Sequence, residues 1–183
     1  MALGTIINGV KLQAVQETLD AIKTEPELAK CNFRITNRWI SGGHNHVTVR
    51  DFYGAKREIE HIQAFDLEED EPQLLAGTDQ GPNPVEYLLT ALSGCLTSSM
   101  VYHAALRGIQ INSLECDVDG DIDLRGFLDV SDSVRNGYTQ IRVRFRIDTE
   151  EKNLQRLMDL CELSPIYDTI LNGTDIDIQM ERK

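Results

Sequence analysis

Four thiols, a pair of imidazoles and one carboxylate are the residues of this chain whose types and spacing could do chemistry. The thiols are Cys31, Cys95, Cys116 and Cys161. Cys95 sits inside Tyr87 to Leu106, about twenty residues without Asp, Glu, Lys or Arg. That stretch predicts a helix buried on most of its faces. At 100° per residue Tyr102 projects almost directly beneath Cys95, and Ser98 and Ser99 flank the same stripe. A thiol so far inside a helix gains nothing from the positive end of the dipole, which decays within a turn. To ionise at neutral pH it needs a cation from elsewhere, such as an Arg on a strand. By spacing alone, a buried Cys among Leu and Ala is more often a small hydrophobe than a nucleophile. Cys161 falls on the apolar face of a later helix, and Cys31 and Cys116 fall in strand-like segments without polar company; all three read as packing positions. His44 and His46 alternate out of a turn and face the same way, as a metal-binding pair would. No third ligand stands at useful spacing, so no metal is expected. There is no phosphate loop, dinucleotide fingerprint or serine elbow.

The elements that must position these residues are legible from periodicity and breakers. Val10, Leu12, Val15, Leu19 and Ile22 predict an amphipathic helix from about Asn8 to Lys23, ended by Pro26. Strands are predicted at Asn32 to Ile40 and His46 to Phe52, joined by Ser41-Gly42-Gly43, with a third at Arg57 to Phe65. Ala76-Gly-Thr-Asp-Gln-Gly-Pro-Asn-Pro84 is a turn-rich connection into the long helix, expected at about Pro84 to Arg107 and terminated by Gly108. Its start is well signalled: Asn83 suits the N-cap, Pro84 the first helical position, and Glu86 can reach back to the Asn83 amide. That gives Glu86 a structural reading beside an acid/base one. Strands at Ile111 to Leu124 and Tyr138 to Asp148 flank a loop from Gly126 to Gly137. A helix at Glu150 to Leu163 is broken or restarted at Ser164-Pro165, and Thr174 to Met180 reads as a last strand. The order β-β-β-α-β-β-α-β is that of an α+β domain with mostly antiparallel pairing.

Bulk properties narrow the function classes. The 183 residues suit one substantial domain. Residues 1–30 read as an N-terminal helical extension and 31–183 as the domain proper. With 18 basic residues against 30 acidic ones, the net charge is −12, which argues against nucleic acid and against anionic lipid as partners. The acidic run Glu68-Glu69-Asp70-Glu71 reads as a solvated loop. The Tyr87–Leu106 segment is long enough to span a bilayer, but its hydroxyls and His103 favour burial in protein. The first residues lack a basic n-region and a small-residue cleavage site, and four scattered cysteines make no disulfide scaffold, so a reduced cytoplasmic setting is expected.

The segment Gly77-Thr-Asp-Gln-Gly-Pro-Asn-Pro-Val-Glu-Tyr-Leu-Leu-Thr-Ala-Leu-Ser-Gly-Cys95 resembles the OsmC/Ohr family of thiol-dependent peroxide reductases. The likeness continues through Val101–Gly108, Gly120–Gly126 and Ser164–Ile170. It implies an intertwined homodimer whose antiparallel sheets wrap around paired central helices, and an oxidative-stress function. It implies reduction of organic hydroperoxides with Cys95 as nucleophile, an external dithiol as reductant, and no organic cofactor. The family's second cysteine precedes a proline in the later helix; the matching residue here is Ser164, with Cys161 one turn upstream as the candidate replacement. The family's glutamate falls at Val85, with Glu86 next and pointing about 180° away from Cys95 by helical arithmetic. The activating arginine comes from an early strand, where Arg57 is the first candidate and Arg50 the second. Two other readings stay open: a non-catalytic binder of a small apolar molecule, and a one-cysteine redox sensor.

Overall fold

The structure is a computed structural model and describes residues 4–183. In chain order the elements are β1 (Ile6–Ile7), β2 (Val10–Lys11), α1 (Leu12–Thr24), β3 (Asn32–Phe33), β4 (Thr36–Ser41), β5 (His44–Gly54), β6 (Arg57–Glu69), α2 (Pro84–Leu106), β7 (Ser113–Asp121), α3 (Leu124–Phe127), β8 (Gln140–Asp148), α4 (Leu154–Cys161) and α5 (Pro165–Asn172). They fall into two compact units, one of residues 4–5 and 11–88, the other of residues 6–10 and 89–183. The boundary crosses α2 between Leu88 and Leu89.

The first unit holds α1 and an antiparallel meander built on β5. Strands β3 and β4 follow one another along one edge of β5, with Asn32 opposite Tyr53 and Thr36 opposite Thr48. Strand β6 lines the other edge, with Asn45 opposite Glu69 and Gly54 opposite Arg57. The β5–β6 hairpin turns on Ala55 and Lys56, both at positive φ (47° and 61°), the twist that tight hairpins need. Strand β6 runs four residues beyond the predicted Phe65. The acidic run is therefore loop only in its second half: Glu68 and Glu69 are in the strand, where Asp66 accepts from the Thr48 hydroxyl at 2.9 Å and Glu68 meets His46, and Asp70 and Glu71 follow it. Asp70 is only 1% exposed.

That carboxylate organises the connection to α2. It accepts hydrogen bonds from the Glu71 amide (2.8 Å), the Thr78 amide (3.1 Å) and hydroxyl (2.6 Å), and the Gln80 amide (3.2 Å). Gly77 lets the loop close over it, since a Cβ there would lie 1.7 Å from the Glu71 carbonyl oxygen. The loop ends in the expected capping box, with Asn83 Oδ1 accepting from the Glu86 amide and Glu86 Oε2 from the Asn83 amide, both at 2.9 Å.

The second unit packs α2 against a β7–β8 hairpin and α4. Met100, Ala104, Ile109, Ile111, Leu157 and Leu160 form its buried cluster, with Leu114, Phe145, Ile147 and Cys161 against it. On the other face of the hairpin Arg142 pairs with Asp119 and Asp121, and Arg146 with Glu115 and Asp117, as the alternation of Ile141 to Ile147 with arginines requires. No helix is long and apolar enough to cross a membrane among the described residues.

Two expectations fail. The first helix begins at Leu12 rather than near Asn8, because Asn8 and Gly9 take left-handed φ of 53° and 78° and turn the chain between β1 and β2. The Asn8 amide also donates to the Ile109 carbonyl (2.9 Å) and accepts from the Ile111 amide (2.8 Å), which a helix start could not do. Residues 174–180 form no strand. Ile176, Ile178 and Met180 alternate as a strand would, but at 79%, 77% and 93% exposure they face no pairing partner among the described residues.

Asp70 gives the fold an acid-sensitive point. Its hydrogen bonds, the Thr78 hydroxyl foremost, hold its pKa below the ordinary carboxylate range. A depressed carboxylate stabilises the fold above the unfolded value of about 3.9 and loses that contribution as pH falls through the folded value. Asp70→Asn is expected to lower the urea midpoint at pH 7, and the gap to the parent should narrow steadily below about pH 4. A gap that stays constant into acid would contradict this role.

Candidate functional site

Cys95 is half-buried in the third turn of α2. The fully buried row of the helix is Leu92, Leu96, Met100 and Ala104, and Cys95 lies 100° to one side of Leu96. Its own stripe is less covered: Leu88, seven residues earlier, is 39% exposed and Tyr102, seven later, is 51% exposed. The Ser98 hydroxyl donates to the Cys95 carbonyl at 3.2 Å, so that serine is spent on the helix backbone and not on the thiol.

Cys161 ends α4 and is also half-buried, its thiol directed at the Leu157 carbonyl (3.7 Å). Burial pushes it up to about 11, with Cys116 and then Glu162 adding to the effect. A thiol so placed carries little thiolate at neutral pH. Cys116, on the inward face of β7 opposite Phe145, is raised by burial and by Asp117, against a hydrogen bond from Thr97. The thiol that the second unit brings towards Cys161 is thus Cys116, a juxtaposition visible in the sequence only as the alternation of Leu114, Cys116 and Val118. Cys161 also opens on a groove of about 570 Å³, lined by Leu96, Met100, Phe145, Met158 and Tyr167 among others. Sequence reasoning did not find this groove, because its walls come from four separated segments.

Ser164 is fully buried and caps α5, its hydroxyl accepting from the Tyr167 amide at 3.2 Å. A hydroxyl here is a helix cap in its own right. Arg57 and Glu86 belong to the first unit. Arg57 is exposed at the start of β6, and the Glu86 carboxylate holds the capping box. His44 and His46 do share a face, but they converge on one carboxylate. His44 Nε2 lies 2.7 Å from Glu68 Oε2, His46 Nδ1 2.9 Å from Glu68 Oε1, and His46 Nε2 3.2 Å from Asp66 Oδ1. With both ring nitrogens against carboxylates His46 is made more basic than an ordinary imidazole, Glu68 contributing most. Among the described residues no group of His, Cys, Asp and Glu could hold a metal ion.

The chain thus combines α+β architecture and antiparallel sheets with a cysteine midway along a helix whose one acidic residue is Glu86. The chain belongs to the OsmC-like protein family, whose family model matches residues 77–179, more than half of its length. Solved structures share the fold. An OsmC-like protein from Mycoplasma pneumoniae superposes with a TM-score of 0.58 at 19% identity, over 76% of this chain and 87% of that one. An organic hydroperoxide resistance protein OsmC from Legionella pneumophila gives 0.55 at 14%, over 79% and 92%. An OsmC-like protein of unknown function from Vibrio cholerae gives 0.53 at 13%, over 79% and 94%. No curated protein matches the chain.

Two outcomes follow from the thiols and the cap. Ser164→Ala should cost about 1 kcal/mol of stability by urea denaturation, the usual worth of a lost N-cap. At pH 8, iodoacetamide should modify Cys161 about a hundredfold more slowly than an unperturbed thiol, with the rate still climbing above pH 10. Rapid labelling of Cys161 in folded protein would show that its thiol is not held neutral.

Proposed function

We propose that this protein reduces organic hydroperoxides through Cys95, as a homodimer. The observation that carries the reading is Cys95 itself: within the family-matched stretch, it is a half-buried thiol on the less covered flank of α2. The Cys95 thiolate attacks one peroxide oxygen, the O–O bond breaks, and the alcohol leaves with a proton as Cys95 becomes a sulfenic acid. An external thiol then condenses with the sulfenic acid, releasing water, and a second thiol reduces the mixed disulfide to free Cys95 and an external disulfide. Arg57, exposed at the head of β6, is the cation assigned to support the thiolate, and Glu86 serves this cycle by fixing the start of α2. Resolution by Cys161 would require its Cα within about 7 Å of that of Cys95, and the raised pKa of Cys161 opposes it.

Exposed apolar residues support association of two copies. In a single chain Leu88 and Tyr102 on α2, and Phe33, Ile35 and Trp39 in the meander, are all left open to water. Sedimentation equilibrium is expected to give twice the 20.6 kDa chain mass; a monomer would remove the homodimer.

With cumene hydroperoxide and dithiothreitol, Cys95→Ser should abolish peroxide consumption. Arg57→Gln should slow it about tenfold, the effect of one pKa unit on the thiolate fraction. Peroxide without reductant should carry Cys95 to sulfinic acid, and Ser164→Cys should divert it into a disulfide. A Cys95–Cys161 linked peptide in the parent protein would instead establish a two-cysteine cycle. Turnover that survives Cys95→Ser would rule out the thiol mechanism, and absence of turnover in the parent would favour a binder that uses the apolar groove beside Cys161.

A further inference from the structure

In a chain with twelve more acidic than basic residues, one recess of the first unit is bordered by two guanidinium groups that hold no ion pair among the described residues. A concavity of about 260 Å³ in the meander is lined by Arg34, Thr36, Arg38, Thr48, Arg50 and Asp51. Thr36 and Thr48 stand directly opposite one another on β4 and β5. Arg38 and Arg50 lie two residues along from them, so strand periodicity puts all four on one face.

The three arginines are not equivalent. Arg34 is fully engaged: its Nε and Nη2 lie 2.9 and 2.5 Å from Asp51 Oδ1, and it also pairs with Glu58. It fixes one wall by holding the Asp51 and Glu58 carboxylates together. Arg38 and Arg50 have no carboxylate within ion-pair distance among the described residues. Asp66, the next carboxylate on this face, is taken up by the Thr48 hydroxyl and His46, with Arg50 acting on it only through space. His46, the register partner of Arg38, is already held by Glu68 and Asp66 and leaves the recess to the arginines. In the antiparallel register Arg38 and Arg50 extend in opposite directions from the Thr36–Thr48 pair and border the recess from its two ends, an arrangement that can clamp an anion between them.

We propose that this recess binds the oxyanion head group of a small molecule, a phosphoryl or carboxylate group held by Arg38 and Arg50 with the Thr36 hydroxyl as a further donor. Guanidinium forks match both head groups in bidentate geometry, and the recess is large enough for a head group with a short substituent. The net charge of −12 makes a polyanion such as nucleic acid a poor occupant. The proposal does not rest on the peroxide chemistry proposed for Cys95.

Isothermal titration of the full chain at constant ionic strength tests this, with inorganic phosphate, methyl phosphate and acetate as separate titrants. Saturable binding below about 10 mM is expected for at least one of them, and the responding titrant tells phosphoryl from carboxylate. The double variant Arg38→Gln/Arg50→Gln should weaken that binding at least about tenfold. The double variant Arg144→Gln/Arg156→Gln, an equal change of charge at exposed positions of β8 and α4, should leave it unaltered. Both variants should melt with the parent, which separates lost binding from lost fold. Absence of saturation with all three titrants, or equal affinity in the double variant, would overturn the proposal.

Discussion

The structure depends on covering a 23-residue helix that carries a single charged side chain, Glu86 in its first turn. Full burial of a Leu or Met side chain is worth about 1.5–3 kcal/mol, and α2 buries Leu92, Leu96 and Met100 along one row. The β7–β8 hairpin and α4 exist in the second unit as the cover for that row. Alternation sends Leu114 and Cys116 inward and leaves the arginine–carboxylate ladder outside. The ion pairs on that outer face are exposed and contribute little stability each; they keep an otherwise bare sheet face polar. The same helix leaves the stripe through Leu88, Cys95 and Tyr102 less covered.

The loop before α2 solves a different problem, which is where a helix with so few polar anchors begins. Asp70 gathers three amides and a hydroxyl, the glycines allow close approach, and the Asn83–Glu86 box closes the first turn. A start fixed this firmly also fixes the rotation of every later residue about the helix axis, Cys95 included. Glu86 therefore influences the thiol through geometry even though its carboxylate is committed to the backbone.

Much of this was legible in the sequence because it is local. The meander, the long helix, its capping box, its stop at Gly108 and the restart at Ser164-Pro165 all rest on periodicity and on residues within a few positions of one another. Departures arose where a side chain answers to a distant partner. Glu68 looked like loop until His44 and His46 stood across from it, and Asp70 looked solvated although four donors surround it. Asn8 looked helical until its amide reached residues 109 and 111. The site followed the same division. Cys95 could be singled out from its segment, whereas the company of Cys161 and the capping task of Ser164 come from tertiary packing that spacing does not encode.

Asn8 has a consequence for how the chain is made. Its two hydrogen bonds join groups about a hundred positions apart, so they cannot form until the segment after α2 has left the ribosome. At roughly 5–20 residues per second, the first ribbon waits on the order of ten seconds for its acceptor and donor. During that interval the left-handed turn at Asn8 and Gly9 lacks its clamp, and the long apolar helix emerges before its cover is synthesised. Closure of the N-terminal ribbon is thus a late event, and it reports that the turn beyond α2 has reached its final shape.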